Sequence, residues 1–353
     1  MPRKTTGKPA PGLGPLEDFR NFVWLVWRHL GLPPPTPIQY DICEYLQHGP
    51  DRCIIMAFRG VGKSYLTSAY SCWRLLRDPE TKIMAVSASK DRADQFSTFV
   101  KRLIEDMDVL AHLRPRPDQR TSNIAFDVGP ARPDHSPSVK SVGIFGQLTG
   151  SRADLIIPDD VEVPNNSETQ LMRDKLKERV KEFDAVLKPG GQIKYLGTPQ
   201  TELTLYTELR QRGYDCRIWP ARYPTVVQAR SYGDALAPMI VRRLEQGAKP
   251  GTSTDPKRFD DEDLAKRELS YGKAGFALQF MLDPRLSDVD RYPLKLSDFI
   301  VMSCPQDQAP CRVTWGSLPE LVLAELPNVG LSGDRWYRPW RVSDDPKEWA
   351  PYQ

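Results

Sequence analysis

This 353-residue chain has little that points to metal or disulfide chemistry. Of its four histidines, His112 and His135 have no partner at metal-ligand spacing, so no zinc site is expected. Its six cysteines (Cys43, Cys53, Cys72, Cys216, Cys304 and Cys311) are scattered without a C-x-x-C pair. They read as reduced thiols of a cytosolic chain, which excludes a disulfide framework. No apolar run approaches the ~20 residues that would span a bilayer. The basic start Met-Pro-Arg-Lys-Thr-Thr-Gly-Lys-Pro is not followed by an apolar export core, so a soluble, unexported protein is expected. Charge of one sign is not in excess either. A net charge of +3 identifies no polyanionic partner, although local Lys/Arg clusters could still form a DNA track. What is present, 40% hydrophobic and 27% charged residues, is enough for one large α/β domain with an appendage, or for two domains.

The pattern along the chain divides it. Residues 1–15 are rich in Pro, Gly and Lys without periodicity and read as a disordered basic arm. Residues 16–30 carry an apolar stripe at 19, 22, 23, 26, 27 and 30, a helix that Gly31 and Pro33-Pro34-Pro35 terminate. A second helix is expected over 37–47, with Thr36 as N-cap and Pro37 at its first position. From 53 to about 219, short apolar runs alternate with helices, as in a mostly parallel sheet covered on both faces. Strands are expected at 53–57, 82–87, 123–128, 139–145, 154–158, 192–196 and 214–218, and helices at 63–77, 90–106, 168–187 and 203–211. The core is therefore assigned to 16–222. Helices near 225–247 and 260–282 open a lid or linker region over 223–334, and 335–353 reads as an irregular tail.

The chemistry lies in the core. A phosphate loop needs inward N–H groups, a helix N-terminus behind them, a lysine for the β/γ-phosphates and a hydroxyl for Mg²⁺. Ala57-Phe-Arg59-Gly60-Val61-Gly62-Lys63-Ser64 supplies these after an apolar strand. The backbone from Arg59 through Tyr65 is expected to hold the phosphates of ATP. Ala57 stands where the first glycine of G-x-x-x-x-G-K-[ST] would be, and Gly60 and Gly62 remain to take positive φ. An ATPase of this kind also needs an acid at a strand end for the metal and a second acid for the attacking water. In Leu155-Ile-Ile-Pro-Asp159-Asp160, Asp159 is assigned to Mg²⁺ with Ser64, and Asp160 to the water, with Glu162 a longer-armed competitor. Tyr195-Leu-Gly-Thr198-Pro-Gln200 ends the next strand where a γ-phosphate could be sensed. Arg59 is placed to act on the phosphoryl in cis and Arg152 in trans. Gln39 carries a side-chain amide that could read an adenine edge.

With these motifs in hand, the chain resembles the large terminase subunit of tailed phages, of the DNA maturase B type found in short-tailed lytic phages. The resemblance runs from about 16 to 334. It is carried by Ala57–Ser64, Ser87-Ala-Ser-Lys-Asp-Arg-Ala-Asp94, Phe126-Asp-Val-Gly-Pro130, Pro133–Gly143, Gly146-Gln-Leu-Thr-Gly-Ser-Arg-Ala-Asp154, Leu196-Gly-Thr-Pro-Gln-Thr201 and Tyr271–Met281. It implies a RecA-like P-loop fold of the additional-strand kind and an ATP- and Mg²⁺-dependent motor that drives double-stranded DNA into a procapsid. It further implies a homo-oligomeric ring, a pentamer, on the portal protein, together with a small terminase subunit, in the host cytoplasm and outside the mature virion. Lys63, Ser64, Asp159, Asp160, Thr198 and Gln39 hold the positions that function in that family.

Two departures stand out. Many relatives place a ring-completing arginine directly before a glycine, where this chain has Thr149-Gly150, so that Arg152 is a displaced substitute. The family linker Glu325–Asp334 is followed by only nineteen residues, so the RNase H-like nuclease domain is expected to be absent. Two other readings remain: a terminase remnant that binds ATP, portal or DNA without turnover, and another P-loop motor such as a helicase. Arg114, Arg116, Arg120 and Lys140 are candidates for a DNA-gripping surface, with a solvated-charge role as the alternative.

Overall fold

The computed structural model describes residues 12–199 and 204–284 in full, with the backbone of 329–331, 334–336, 340–341 and 350–351. Two compact units result, Met1–Pro293 and Leu294–Gln353. In the first, α1 (Phe19–His29) starts where the Asp18 side chain accepts from the Arg20 N–H, and buries Phe19, Phe22, Val23, Val26 and Trp27 along one stripe. Next, α2 (Pro37–His48) has the expected Thr36 cap, extended to a full capping box by Gln39.

The chain then alternates: β1 (Arg52–Ala57), α3 (Lys63–Arg77), β2 (Ile83–Ser87), α4 (Lys90–Asp106), β3 (Ala125–Phe126), β4 (Val139–Gly143), β5 (Ala153–Asp159), α5 (Pro164–Ser167), α6 (Gln170–Val186), β6 (Leu187–Gly197), α7 (Leu205–Gln211) and β7 (Asp215–Trp219). These strands form one sheet in the order β3-β4-β2-β5-β6-β1-β7. Every pairing is parallel except that of the edge strand β3 with β4. Strand β6 therefore stands between β1 and β5, which is the additional-strand arrangement. The sheet is closed on both faces by large apolar groups that include Trp73, Phe183 and Trp219, each fully buried. Burying a side chain of this size contributes about 1.5–3 kcal/mol.

Three elements differ from the sequence expectation. The run 123–128 yields only two paired residues, because β3 has a neighbour on one side alone. Strand β6 starts earlier than 192, at Leu187, and its first residues are half exposed. The periodic stretch 225–247 is two helices, α8 (Val226–Tyr232) and α9 (Pro238–Glu245), because Pro238 can open a helix but cannot continue one. Helix α10 (Asp261–Phe276) bends at Gly272 and runs into a π turn, Ala277–Met281. All three lie in the first unit, which continues past the boundary expected near 222.

In the second unit, β8 (Val329–Leu331) pairs antiparallel with β9 (Asp334–Trp336), and β10 (Trp340–Arg341) with β11 (Ala350–Pro351), the last two inside the tail expected to be irregular. Residues 1–11 of the expected arm, 285–328 of the expected linker region, and Cys304 and Cys311 lie outside the described residues. Among the described residues no helix is long and apolar enough to cross a membrane.

Candidate functional site

In a parallel sheet the carboxyl ends of the strands share one edge, and chain leaving that edge lines a crevice. Here β1, β6 and β5 deliver, side by side, the phosphate loop, Thr198 and Asp159-Asp160. The loop tolerates Ala57 because that residue is still strand, in register with Trp219 of β7, and its extended backbone needs no glycine. Gly60 and Gly62 have φ of +92° and +94°, conformations in which a side chain is strained. Gly62 then caps α3, whose first turn begins at Lys63 and Ser64.

The ammonium of Lys63 is folded back to donate to the Ala57 carbonyl, inside the loop. Burial pushes it below the usual lysine range, against the opposing pull of Asp160 and Asp159. Ser64 Oγ donates to Asp159 Oδ2 at 2.9 Å, joining the two residues assigned to the metal. Asp159 is half-buried as a residue, but its Oδ1 is shut off from solvent without a hydrogen-bond partner. Burial, and then the charge of Asp160, raises its carboxyl to about 6. Ser87 Oγ, from the end of β2, donates to the Asp159 carbonyl at 2.9 Å.

Asp160 sits at φ +44°, a conformation that non-glycine residues seldom adopt and that concentrates at functional positions. Its N–H donates to the Leu196 carbonyl at 3.0 Å, and its Oδ1 is also buried without a partner. Glu162 takes a different part from the one the sequence suggested. Its carboxylate is buried and accepts from Thr204 Oγ and the Leu205 N–H, at 2.6–2.9 Å, at the start of α7. The carboxyl thus sits on the N-terminus of α7, where negative charge is favoured. Thr198 is buried just beyond β6, between the loop and the acidic pair in strand order.

The remaining assignments change more. Gln39 is completely buried, and its amide is committed within the protein. Nε2 donates to the Val61 carbonyl at 2.8 Å, and Oε1 accepts from the Thr36 N–H at 3.0 Å. It props the phosphate loop rather than facing outward to a base. Tyr65 is exposed, with its ring edge-on to Trp27 and Phe99, and Val61 is buried. Arg59 is tied to the π turn, its N–H donating to the Gln279 carbonyl at 3.0 Å and its guanidinium to Gln279 Oε1 at 3.4 Å. Arg152 precedes β5 at the opposite end of that strand, roughly 20 Å from Asp159 at 3.3 Å per residue. There it donates to the Ala185 carbonyl, so it takes no part in this chain's own site.

Three of the DNA-surface candidates have internal partners: Arg116 donates to the Gly129 carbonyl and is paired with Asp118 at 3.4 Å. Arg120 is paired with Asp127 at 2.8 Å and also donates to the Asp134 and His135 carbonyls. Lys140 donates to Ser151 Oγ at 2.9 Å.

Residues that sequence reasoning passed over also close on the loop. Arg258 donates from Nη1 to the Val61 carbonyl at 3.3 Å and from Nη2 to the Gly60 carbonyl at 3.2 Å. Phe259 lies edge-on to Phe58, with ring centroids 5.3 Å apart. Asp255 Oδ2 accepts from Thr36 Oγ at 3.0 Å. None of these three lies in a phrase that the sequence singled out, whereas Gln279 lies within Tyr271–Met281.

Known proteins match this sequence. A family model described as terminase large subunit, T4likevirus-type, N-terminal, matches residues 54–184. The terminase large subunit of Enterobacteria phage T3 is 54% identical over 324 residues, covering 90% of this chain and 55% of that protein. This chain thus spans about half the length of that relative. Among solved structures, the HK97 bacteriophage large terminase aligns over 75% of this chain and 54% of its own, with a TM-score of 0.44 and 15% identity. The large terminase ATPase domain of Thermus phage P74-26 aligns over 73% and 96%, with a TM-score of 0.41 and 14% identity. Identity at the level seen with the T3 protein, over nine-tenths of the chain, places this protein in the terminase large subunit family.

Proposed function

We propose that this chain hydrolyses ATP and uses the cycle to move double-stranded DNA into a procapsid. The observation that carries the reading is the juxtaposition of Ser64 and Asp159 at 2.9 Å beside two carboxylate oxygens, Asp159 Oδ1 and Asp160 Oδ1, that are buried without partners. Unsatisfied buried acceptors are costly, and two of them next to a hydroxyl fit a divalent cation. Ser64 and Asp159 would hold Mg²⁺, and the loop amides with Lys63 would hold the phosphates of ATP. When bound, the metal would offset negative charge on the transferring phosphoryl.

The protein's own groups supply the rest. Lys63 leaves the Ala57 carbonyl and places its charge on the phosphates. Asp160, fixed by its backbone bond to Leu196, orients a water and accepts its proton. Thr198, at the end of the strand between loop and acid, is placed to register the state of the nucleotide. The partners belong to the same proposal: double-stranded DNA, the portal protein, the small terminase subunit and a ring of this chain, in the host cytoplasm.

The test is ATP turnover by the chain against Lys63→Ala and Asp159→Ala, with and without double-stranded DNA and procapsids. Each substitution is expected to lower turnover by about 10²–10³-fold. Turnover that survives both would remove the site assignment.

A further inference from the structure

We infer that Arg258, some 200 residues from the phosphate loop in sequence, is a positioning residue that keeps the loop's amides turned toward the nucleotide. The inference rests on the reading above that the loop binds ATP. A trans peptide unit points its C=O and the following N–H in opposite directions, so holding the carbonyl fixes the amide. Arg258 holds the Gly60 carbonyl at 3.2 Å and the Val61 carbonyl at 3.3 Å, which directs the amides of Val61 and Gly62 to the other side of the loop. Gln39 shares the Val61 carbonyl at 2.8 Å. Val61 N–H otherwise makes only a 3.4 Å turn contact with the Phe58 carbonyl.

The guanidinium is itself carried by a structured segment. The Arg258 and Phe259 N–H groups donate to the Asp255 carbonyl at 3.1 and 2.9 Å. Asp255 is tied to Thr36, and Thr254 Oγ donates to the Pro220 carbonyl at 2.7 Å, just past β7. The Phe259 ring lies directly under Gly60, where an added Cβ would come within 2.8 Å of it. Arg267 lies over the same ring at 5.1 Å from its centroid, while its hydrogen bonds go to Asp263. Arg258 reaches the two carbonyls from two separate nitrogens of a rigid fork, whereas a lysine would have to reach both from one atom on a flexible stem, so lysine is a partial substitute here.

The experiment measures kcat and KM for ATP, binding of a fluorescent ATP analogue, and the thermal midpoint. It compares the wild type, Arg258→Ala, Arg258→Lys and Arg267→Ala, with Lys63→Ala as the inactive reference. Arg258→Ala is expected to raise KM and weaken analogue binding about tenfold with kcat within about threefold, Arg258→Lys to fall between, and Arg267→Ala to leave KM unchanged. Equal KM in wild type and Arg258→Lys, or KM increases in Arg258→Ala and Arg267→Ala that both follow their losses of thermal midpoint, would overturn the inference. A wild type that neither binds nor hydrolyses ATP would instead overturn the functional reading. If Arg258→Ala does not fold, the lysine variant decides.

Discussion

Two places on the same sheet, Lys194 and the acidic pair after β5, treat buried charge in opposite ways, although Lys82, just ahead of β2, also keeps a buried ammonium without a partner. At the amino edge, Lys194 is completely buried on β6, yet its ammonium donates to the carbonyls of Gly49 and Pro50, at 3.2 and 2.7 Å. Nearby, Tyr45 OH donates to Asp215, and Arg52 is paired with Asp184 at 2.6 Å. At the carboxyl edge, Asp159 and Asp160 each keep a buried oxygen without a partner, and Asp160 does so from a left-handed backbone. A charge whose partners are all internal secures the fold. A charge that lacks one is a cost, which natural proteins tolerate mainly where a ligand removes it.

The contrast can be broken most sharply at the two acids after β5. Asp160→Asn is expected to reduce turnover about 10²–10³-fold, because an amide cannot take the water's proton. Glu162→Gln, at a residue whose carboxylate caps α7, should leave kcat within about fivefold, measured in the same assay. If the glutamine variant proves the inactive one, the two acids must exchange roles. Next in size is Lys194→Ala at the amino edge, which removes the donor from the Gly49 and Pro50 carbonyls and leaves a cavity. It should lower stability by ~3 kcal/mol in denaturant titration, with loop chemistry unaffected in the folded fraction.

Asp159→Asn should act with the opposite sign on stability. The folded carboxyl titrates at about 6, above its unfolded value, so its favourable contribution is complete below about pH 4 and is lost as pH rises through 6. Replacing it with a neutral amide should therefore raise the thermal midpoint at pH 7.5. The gain is ~1–2 kcal/mol after allowing for solvent near its Ser64 side, and should disappear by pH 4. A variant destabilised at pH 7.5 would show that Asp159 is satisfied after all. A loss of similar size, ~1–2 kcal/mol, is expected from Gly60→Ala, since positive φ and the Phe259 ring both oppose the methyl. It should also raise KM for ATP, and an unchanged KM would mean that the loop adapts.

What was legible in the sequence follows from how local each signal is. The start of α3 at Lys63 and the end of β5 at Asp159 are written in adjacent residues, and the Thr36 cap needs only three positions. The order of the strands is less local, and it came from the resemblance more than from periodicity. Gln39 was singled out for its amide, but its use could not be read from a helix stripe. Its acceptor is Val61, 22 residues away, and nothing in the pattern around 39 says whether the side chain faces a base or the loop. Arg258 and Gln279 lie beyond any such pattern, because a cation on a loop carbonyl has the same local sequence as a solvated one. The break within 225–247 was not read, although Gly233, which closes α8 at positive φ, and Pro238, which opens α9, are both local signals.

The clasp from Ser253 to Met281 also bears on how this protein could be divided. By strand count the sheet is complete at Trp219, and a gene fragment ending there would encode all seven strands and the whole phosphate-loop motif. Yet the outer face of that loop is built by residues that come later. The smallest piece of chain that keeps the loop's contacts is therefore set by residues 253–281 rather than by the motif, and deletion boundaries belong after 281.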